Sequence, residues 1–140
     1  MHKPASILLF CLFIFSSSLA AKQVEGVAIP DTLELASNDT ALVLNGAGIR
    51  EKFFLDIYIG ALYLPARTPD ASTILSDTGP ASVLMHILHS EISKKKITAG
   101  WNDGLEENLS DKEMQAMQPR LEKFNSLFRT LRKGDELRID

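Results

Sequence analysis

Two polar side chains within a mostly apolar stretch have the types needed to hold an anionic group. Arg50 follows the segment Gly46-Ala47-Gly48, and Tyr58 lies further along the same stretch. A guanidinium binds a carboxylate through two parallel charge-assisted hydrogen bonds, and a phenol can donate one more. The alternatives are a solvated arginine at a bend and a half-buried strand tyrosine with its hydroxyl in water. A small carboxylate is therefore a candidate ligand for Arg50 and Tyr58.

The other reactive side chains form no recognisable catalytic or metal-binding pattern. His86 and His89 are three positions apart on a predicted strand, so they lie on opposite faces and do not converge on a metal. We interpret one as a core histidine and the other as a surface histidine. We interpret the three lysines at residues 94–96 as the solvated start of a helix, and Trp101 as a core residue. No nucleophile-elbow, zinc-protease, P-loop or dinucleotide motif occurs, so we predict no metal, no cofactor and no catalytic residue.

The stretch that must position the two candidates runs from residue 42 to residue 64. Every odd position from Phe53 to Tyr63 is apolar, which is typical of a β-strand with one buried face. Pro65 ends the strand because it has no N–H to donate. We predict a hairpin with residues 42–44 going out, a bend within residues 46–52, and residues 53–64 returning. Tyr63 is assigned to the core.

Shorter strands surround this hairpin. We predict them at residues 23–29, 32–36, 82–88 and 136–139, with one helical turn at residues 71–75. The segment 82–88 is apolar at successive positions, which indicates a central strand buried on both faces.

Two longer helices are predicted in the second half of the chain. Apolar residues recur every four positions within residues 94–108, which predicts an amphipathic helix. Gly100 and Gly104 are expected to let this helix lie close to the sheet. A capping box that starts at Ser110 begins a second helix, which we expect to end at Gly134. The predicted fold class is α+β, a mainly antiparallel sheet with two long helices on one face.

The first twenty residues form a separate unit. Lys3 precedes an apolar run too short to span a bilayer, and Ser18-Leu19-Ala20 fits the small-residue rule for signal peptidase. We expect residues 1–20 to be a signal peptide, which leaves one domain at residues 21–140; a retained membrane anchor is the alternative. The expected location is periplasmic or secreted, with membrane contact only through the leader.

Charge and cysteine content narrow the possible partners. The chain carries a formal charge of −3, which becomes −4 when Lys3 leaves with the leader. An acidic surface argues against nucleic acid as a partner. The single cysteine, Cys11, lies in the leader, so the mature chain has no disulfide.

Several segments in the same order resemble the bacterial chalcone isomerase-like proteins, secreted relatives of plant chalcone isomerases and fatty-acid-binding proteins. They are GVAIP (26–30), LNGAGIR (44–50) with FFLDIYIGALYLP (53–65), GWNDGLEENLS (100–110) and KGDELRID (133–140). The resemblance covers nearly all of the chain after the leader and implies an open-faced sandwich. It also predicts a further hairpin and a closing segment after Asp140, so we expect the chain to be C-terminally truncated; a complete short protein is the alternative.

The resemblance assigns roles to the two candidates. Arg50 matches an arginine that reaches into a cleft between sheet and helices, where it polarises a ligand oxygen or holds a fatty-acid carboxylate. Tyr58 matches a position where isomerases carry threonine and fatty-acid binders tend to carry tyrosine. The isomerase tyrosine before the first long helix has no counterpart within residues 89–93, where Ile92 stands.

These assignments lead to one expected function and two alternatives. We expect an exported, non-catalytic protein that binds a small apolar carboxylate, such as a fatty acid, between sheet and helices. One alternative is an isomerase or intramolecular lyase with an unknown substrate. The other is an envelope interaction protein without a ligand.

Overall fold

A computed structural model describes residues 21–37 and 40–140 of the chain. The predicted leader, residues 1–20, lies outside the described residues. The described strands and helices are, in chain order, β1 (Lys22–Val24), β2 (Val27–Ile29), β3 (Thr32–Glu34), β4 (Ala41–Lys52), β5 (Leu55–Leu64), α1 (Ala71–Ser76), β6 (Ser82–Ile87), β7 (Glu91–Ile92), α2 (Lys94–Asn108), α3 (Asp111–Ser126), β8 (Leu131–Arg132) and β9 (Glu136–Ile139).

Five of the strands form one antiparallel sheet in the order β3-β4-β5-β6-β9. The pairs β1-β2 and β7-β8 form two small antiparallel ribbons beside it. The predicted α+β class and the mainly antiparallel sheet are confirmed. Strand β6 lies between β5 and β9 and is largely buried, as its apolar sequence predicted.

The sheet separates two apolar clusters. The first joins Leu42, Ile59 and Tyr63 to Ile29 of the N-terminal ribbon. The second joins Met85 and Ile87 of β6 to residues of both long helices and of the chain that follows them. Both helices therefore pack on the same face of the sheet, as predicted.

Tyr63 lies in the first cluster and is fully buried, which confirms its assignment to the core. Its hydroxyl donates a hydrogen bond of 2.8 Å to the carbonyl oxygen of Pro30. Burial, with smaller contributions from Glu136 and Asp31, raises the pKa of the Tyr63 phenol. A buried phenol that is already paired stabilises the core and takes no part in the candidate site.

The central hairpin turns later than the sequence predicted. Strand β4 continues through residues 46–52 and pairs with β5 as far as Lys52 and Leu55, so the loop consists of Phe53 and Phe54 alone. Neither Gly46 nor Gly48 has a positive φ. The predicted bend is wrong because the chain does not turn here. The register of β4 shifts between Leu44 and Gly46, and Asn45 forms a β-bulge within a continuous strand.

The bulge at Asn45 is held by the chain that follows β5. The side chain of Arg67 donates through Nε to the carbonyl oxygen of Leu44 at 2.9 Å. The backbone N–H of Thr68 donates to Oδ1 of Asn45 at 2.8 Å. These bonds satisfy polar groups that the bulge removes from the regular ladder, and so the strand can continue.

Two other boundaries differ from the prediction. The predicted strand at residues 23–29 is the hairpin β1–β2, because Glu25 and Gly26 turn the chain with φ of 46° and 75°. The second long helix ends at Ser126, well before Gly134. Phe128 and Leu131 continue the apolar pattern outside the helix and fill the same cluster, so helical periodicity overestimated its length.

Candidate ligand-binding site

A pocket of about 710 Å³ lies between the central hairpin, the end of β6 and helix α2. This volume falls within the range of about 300–1,000 Å³ found for small-molecule sites. Most of its wall is apolar, formed by Phe53, Leu55, Ile57, Met85, Ile92, Ile97, Trp101 and Leu105. This wall is suited to a hydrocarbon group.

Arg50 and Tyr58 come together at this pocket. The two residues are directly opposite each other in the pairing of β4 with β5, and both line the pocket. Cζ of Arg50 lies 6.0 Å from the centroid of the Tyr58 ring, at the outer limit of a cation–π contact. Within residues 21–37 and 40–140, the exposed guanidinium has no hydrogen-bond or ion-pair partner. It is therefore available to an anion.

A second β-bulge shapes the hairpin wall. Arg50 pairs with Tyr58 but Glu51 pairs with Asp56, so Ile57 is the extra residue of β5. Both Ile57 and Tyr58 consequently line the pocket, and both pack against the second apolar cluster. The prediction that the apolar odd positions of this strand all share one face is therefore wrong.

The apolar series of β5 is therefore divided between two faces. Ile59, Ala61 and Tyr63 face the first apolar cluster, whereas Leu55 and Ile57 face the pocket. The bulge causes this division because one extra residue reverses the alternation of the strand.

Helix α2 forms the opposite wall and leaves part of it bare. A Cβ added at Gly100 or at Gly104 would have no atom within 4 Å, although both glycines line the pocket. The prediction that these glycines bring the helix close to the sheet is wrong. Their missing side chains instead leave space beside the apolar wall.

Trp101 has two sets of contacts. Its ring lies 5.8 Å from the ring of Phe124 in an edge-on arrangement, and 6.3 Å from the ring of Phe128. These contacts agree with the predicted core position. Trp101 also lines the pocket, which the sequence analysis did not predict.

Other polar residues that the sequence did not assign to a site also line the pocket: Lys52, His89, Glu91, Lys96 and Asp103. His89 is placed by the bulge, since the N–H groups of Leu88 and His89 both donate to the carbonyl oxygen of Ile57, at 3.0 and 3.1 Å. No sequence periodicity indicates such a contact, because it depends on where the link after β6 crosses the hairpin.

His86 takes no part in the pocket. It pairs across the sheet with Ile59, and its Nδ1 lies 3.3 Å from Oε1 of Glu136. His89 lies after the end of β6, and both histidines are partly buried, so the prediction of one core and one surface histidine on the same strand is wrong. In the described ranges, no group of three His, Cys, Asp or Glu side chains could hold a metal ion.

Ile92 stands at the position just before α2 for which the resemblance implies a tyrosine in isomerases. It is buried and lines the pocket with its aliphatic side chain. Both tyrosines of the chain lie in β5. The pocket wall therefore offers no phenol beside the start of α2.

Across the described part of the chain, no helix combines the length and the apolar character needed to span a membrane.

Comparison with known proteins places the whole described region in one family. A family model described as chalcone isomerase-like matches residues 21–140, which is most of the chain. No curated protein matches the chain. The match includes the central hairpin, α2 and every residue of the pocket. The chain belongs to the chalcone isomerase-like family.

Proposed function

We propose that this protein is an exported, non-catalytic binder of a small apolar carboxylate, with a long-chain fatty acid as the best-fitting ligand class. The hydrocarbon tail lies between the hairpin and α2, and the carboxylate lies at Arg50. The observation that carries the proposal is an unpaired guanidinium, opposite a tyrosine, on the wall of an apolar pocket.

The tail supplies most of the affinity in this proposal. Burial of hydrocarbon contributes about 0.8 kcal/mol per CH₂ group, and the wall has eight large apolar side chains that can receive the tail. A charged hydrogen bond contributes about 1.5–3 kcal/mol. Arg50 therefore fixes the orientation of the ligand and adds a smaller share of the binding free energy.

The non-catalytic part of the proposal is supported by a departure from the isomerase pattern just before α2, where Ile92 stands in place of a tyrosine. Ile92 offers no hydroxyl beside the start of α2, and its side chain extends the apolar wall. Tyr58 and Arg50 are donors, which suits the recognition of a carboxylate oxygen.

Substitution of Arg50 tests the proposal. We expect Arg50→Ala to weaken binding of a fluorescent long-chain acid by about one to two powers of ten, through loss of the charged hydrogen bonds. Binding of the alcohol of the same chain length should change little, because an alcohol makes no ion pair. Both ligands are titrated against the wild type and the variant.

Arg120→Ala is the matched control, since Arg120 is an exposed arginine of α3 that does not line the pocket. It should bind both ligands as the wild type does. Equal affinity of wild type and Arg50→Ala for the acid, or the absence of saturable binding, would contradict the proposal and favour a ligand-free interaction protein.

A further inference from the structure

The tip of the central hairpin presents three consecutive apolar side chains to solvent. Phe53 is 81% exposed, Phe54 is 102% exposed and Leu55 is 53% exposed. Other large apolar residues with high exposure, Leu75 and Leu127, stand singly in other parts of the described chain. Scattered single residues are normal on protein surfaces, but a contiguous exposed group marks an interaction site.

The backbone of the tip is unfavourable for the residues it carries. Phe53 and Phe54 form the two-residue loop with φ of 51° and 63°, a geometry that strongly prefers Asn-Gly or Asp-Gly. The β1–β2 hairpin of the same chain makes a comparable turn with Glu25 and Gly26, where glycine removes the backbone strain at the second position. Two phenylalanines at positive φ are strained, and both rings stay largely exposed, so little packing within the chain offsets the strain. This favours a contact of their side chains outside the chain.

The size and shape of the tip select a lipid surface over a protein partner. A stable protein interface buries about 800 Å² on each side, whereas a buried aromatic side chain contributes about 150–250 Å². The two phenylalanines of the loop and the adjacent Leu55 together fall short of that area. A bilayer needs no complementary surface and accepts a protruding apolar tip directly.

The charges beside the tip balance. Arg50 and Lys52 are matched by Glu51 and Asp56, so the tip has no net attraction for anionic headgroups. The ammonium group of Lys52 lies 5.7 Å from the centroid of the Phe53 ring. A lysine in this place can extend to the headgroup level while the ring beside it enters the acyl region.

We propose that the Phe53–Phe54–Leu55 tip docks this protein on a lipid bilayer by inserting its apolar side chains. Phe53 and Leu55 also line the pocket, so docking brings the exposed end of the pocket to the membrane surface. The docking does not depend on which ligand the pocket holds.

Flotation with phosphatidylcholine vesicles that contain no free fatty acid tests this proposal. The wild type is expected to float with the vesicles, and the double variant Phe53→Asn, Phe54→Gly is expected to partition at least about tenfold more weakly. Because Asn-Gly suits the turn, the variant should unfold at the same temperature as the wild type or higher. Both proteins are prepared identically, so any contribution of the leader is the same in both.

Leu75→Ser is the matched control, since Leu75 is 87% exposed and lies outside the tip. It should float as the wild type does. Flotation of the wild type should also persist at high salt, because the charges beside the tip balance. Failure of the wild type to float, or equal flotation of the double variant, would overturn the proposal.

Discussion

The guanidinium of Arg50 and the phenol of Tyr58 have different parts in the proposed site, and substitution can separate them. The two side chains meet because β4 pairs with β5, although the residues are not neighbours along the chain. The guanidinium supplies charge, whereas the phenol supplies one neutral donor and a ring at 6.0 Å.

Tyr58→Phe should weaken binding of a long-chain acid by up to about tenfold, less than Arg50→Ala does. The reason is that a neutral hydrogen bond contributes about 0.5–1.5 kcal/mol net, and the ring that faces Arg50 is kept. The acid titration with this variant measures the effect. An unchanged affinity would mean that the hydroxyl of Tyr58 stays in water and takes no part in the site.

Single-residue reasoning identified this pair but missed its neighbours. Arg50 and Tyr58 were recognised because a cation and a phenol in an apolar stretch are chemically distinctive. The sequence predicts a solvated helix start at Lys96 and no site at His89, since neither residue has a local pattern that indicates a pocket. Their position depends on the path of the chain after β6, which is a tertiary property.

At the level of elements, α2 is the pocket wall where a substitution can add a side chain to the pocket. Its two glycines face the pocket, where a Cβ would meet no atom within 4 Å. The helix forms despite them because its apolar face packs on the sheet, as tertiary packing commonly outweighs helix propensity.

Gly104→Leu should abolish binding of a long-chain acid without unfolding the protein. Leucine is a better helix former than glycine by up to about 1 kcal/mol, so the free energy of unfolding should stay equal or rise. The leucine side chain would occupy pocket space. Chemical denaturation and acid titration measure the two effects separately.

Gly104→Ala is the control at the same position, since it brings the gain in helix propensity with only one methyl group. It should keep most of the binding. Full binding by Gly104→Leu would show that the ligand lies elsewhere.

The turn between β8 and β9 predicts a dependence of stability on pH. Oδ2 of Asp135 accepts hydrogen bonds from Nη1 of Arg129 at 2.9 Å and from the N–H of Arg132 at 2.8 Å. The bond from Arg129 contributes most to holding the pKa of the Asp135 carboxyl below its ordinary value, followed by the bond from Arg132.

The folded protein therefore binds fewer protons at Asp135 than the unfolded chain does. Its contribution to stability is present above the unfolded pKa of about 3.9 and is lost as the pH falls through the folded value. The urea midpoint should drop from neutral pH to about pH 3, and less so in Asp135→Asn. Glu107→Gln, at an exposed position of α2, should keep the wild-type drop; a drop in Asp135→Asn equal to that of the wild type would contradict this account.

Among the elements, the sequence pattern predicted α2 well and the central hairpin only in part. The period of apolar residues gave α2 its bounds, because one buried face determines the whole helix. The two bulges of the hairpin were not predicted. Each bulge is stabilised by hydrogen bonds from residues distant in the sequence. Arg67 donates to the carbonyl oxygen of Leu44, and the N–H groups of Leu88 and His89 donate to that of Ile57. Such contacts produce no pattern in the sequence around the bulge.

At the level of the whole molecule, the sheet separates a structural face from a ligand face. The N-terminal ribbon packs on one side, with Ile59 and Tyr63 in a fully buried cluster. The helices cover the other side and leave the pocket beside Met85 and Ile92. The fold class and the family could be predicted from the order of segments, whereas the pocket could not, because its volume results from how far α2 stands from the hairpin.

The most direct test of the binding pocket uses Trp101. It is the only tryptophan of the chain and it lines the pocket, so its fluorescence responds to a ligand in that space. The measurement is a titration with a long-chain fatty acid that carries bromine atoms at mid-chain, which quench a tryptophan they contact. We predict saturable quenching that the unbrominated acid reverses by competition. Quenching that rises linearly without a plateau, or no quenching at all, would contradict an acid-binding pocket between the hairpin and α2.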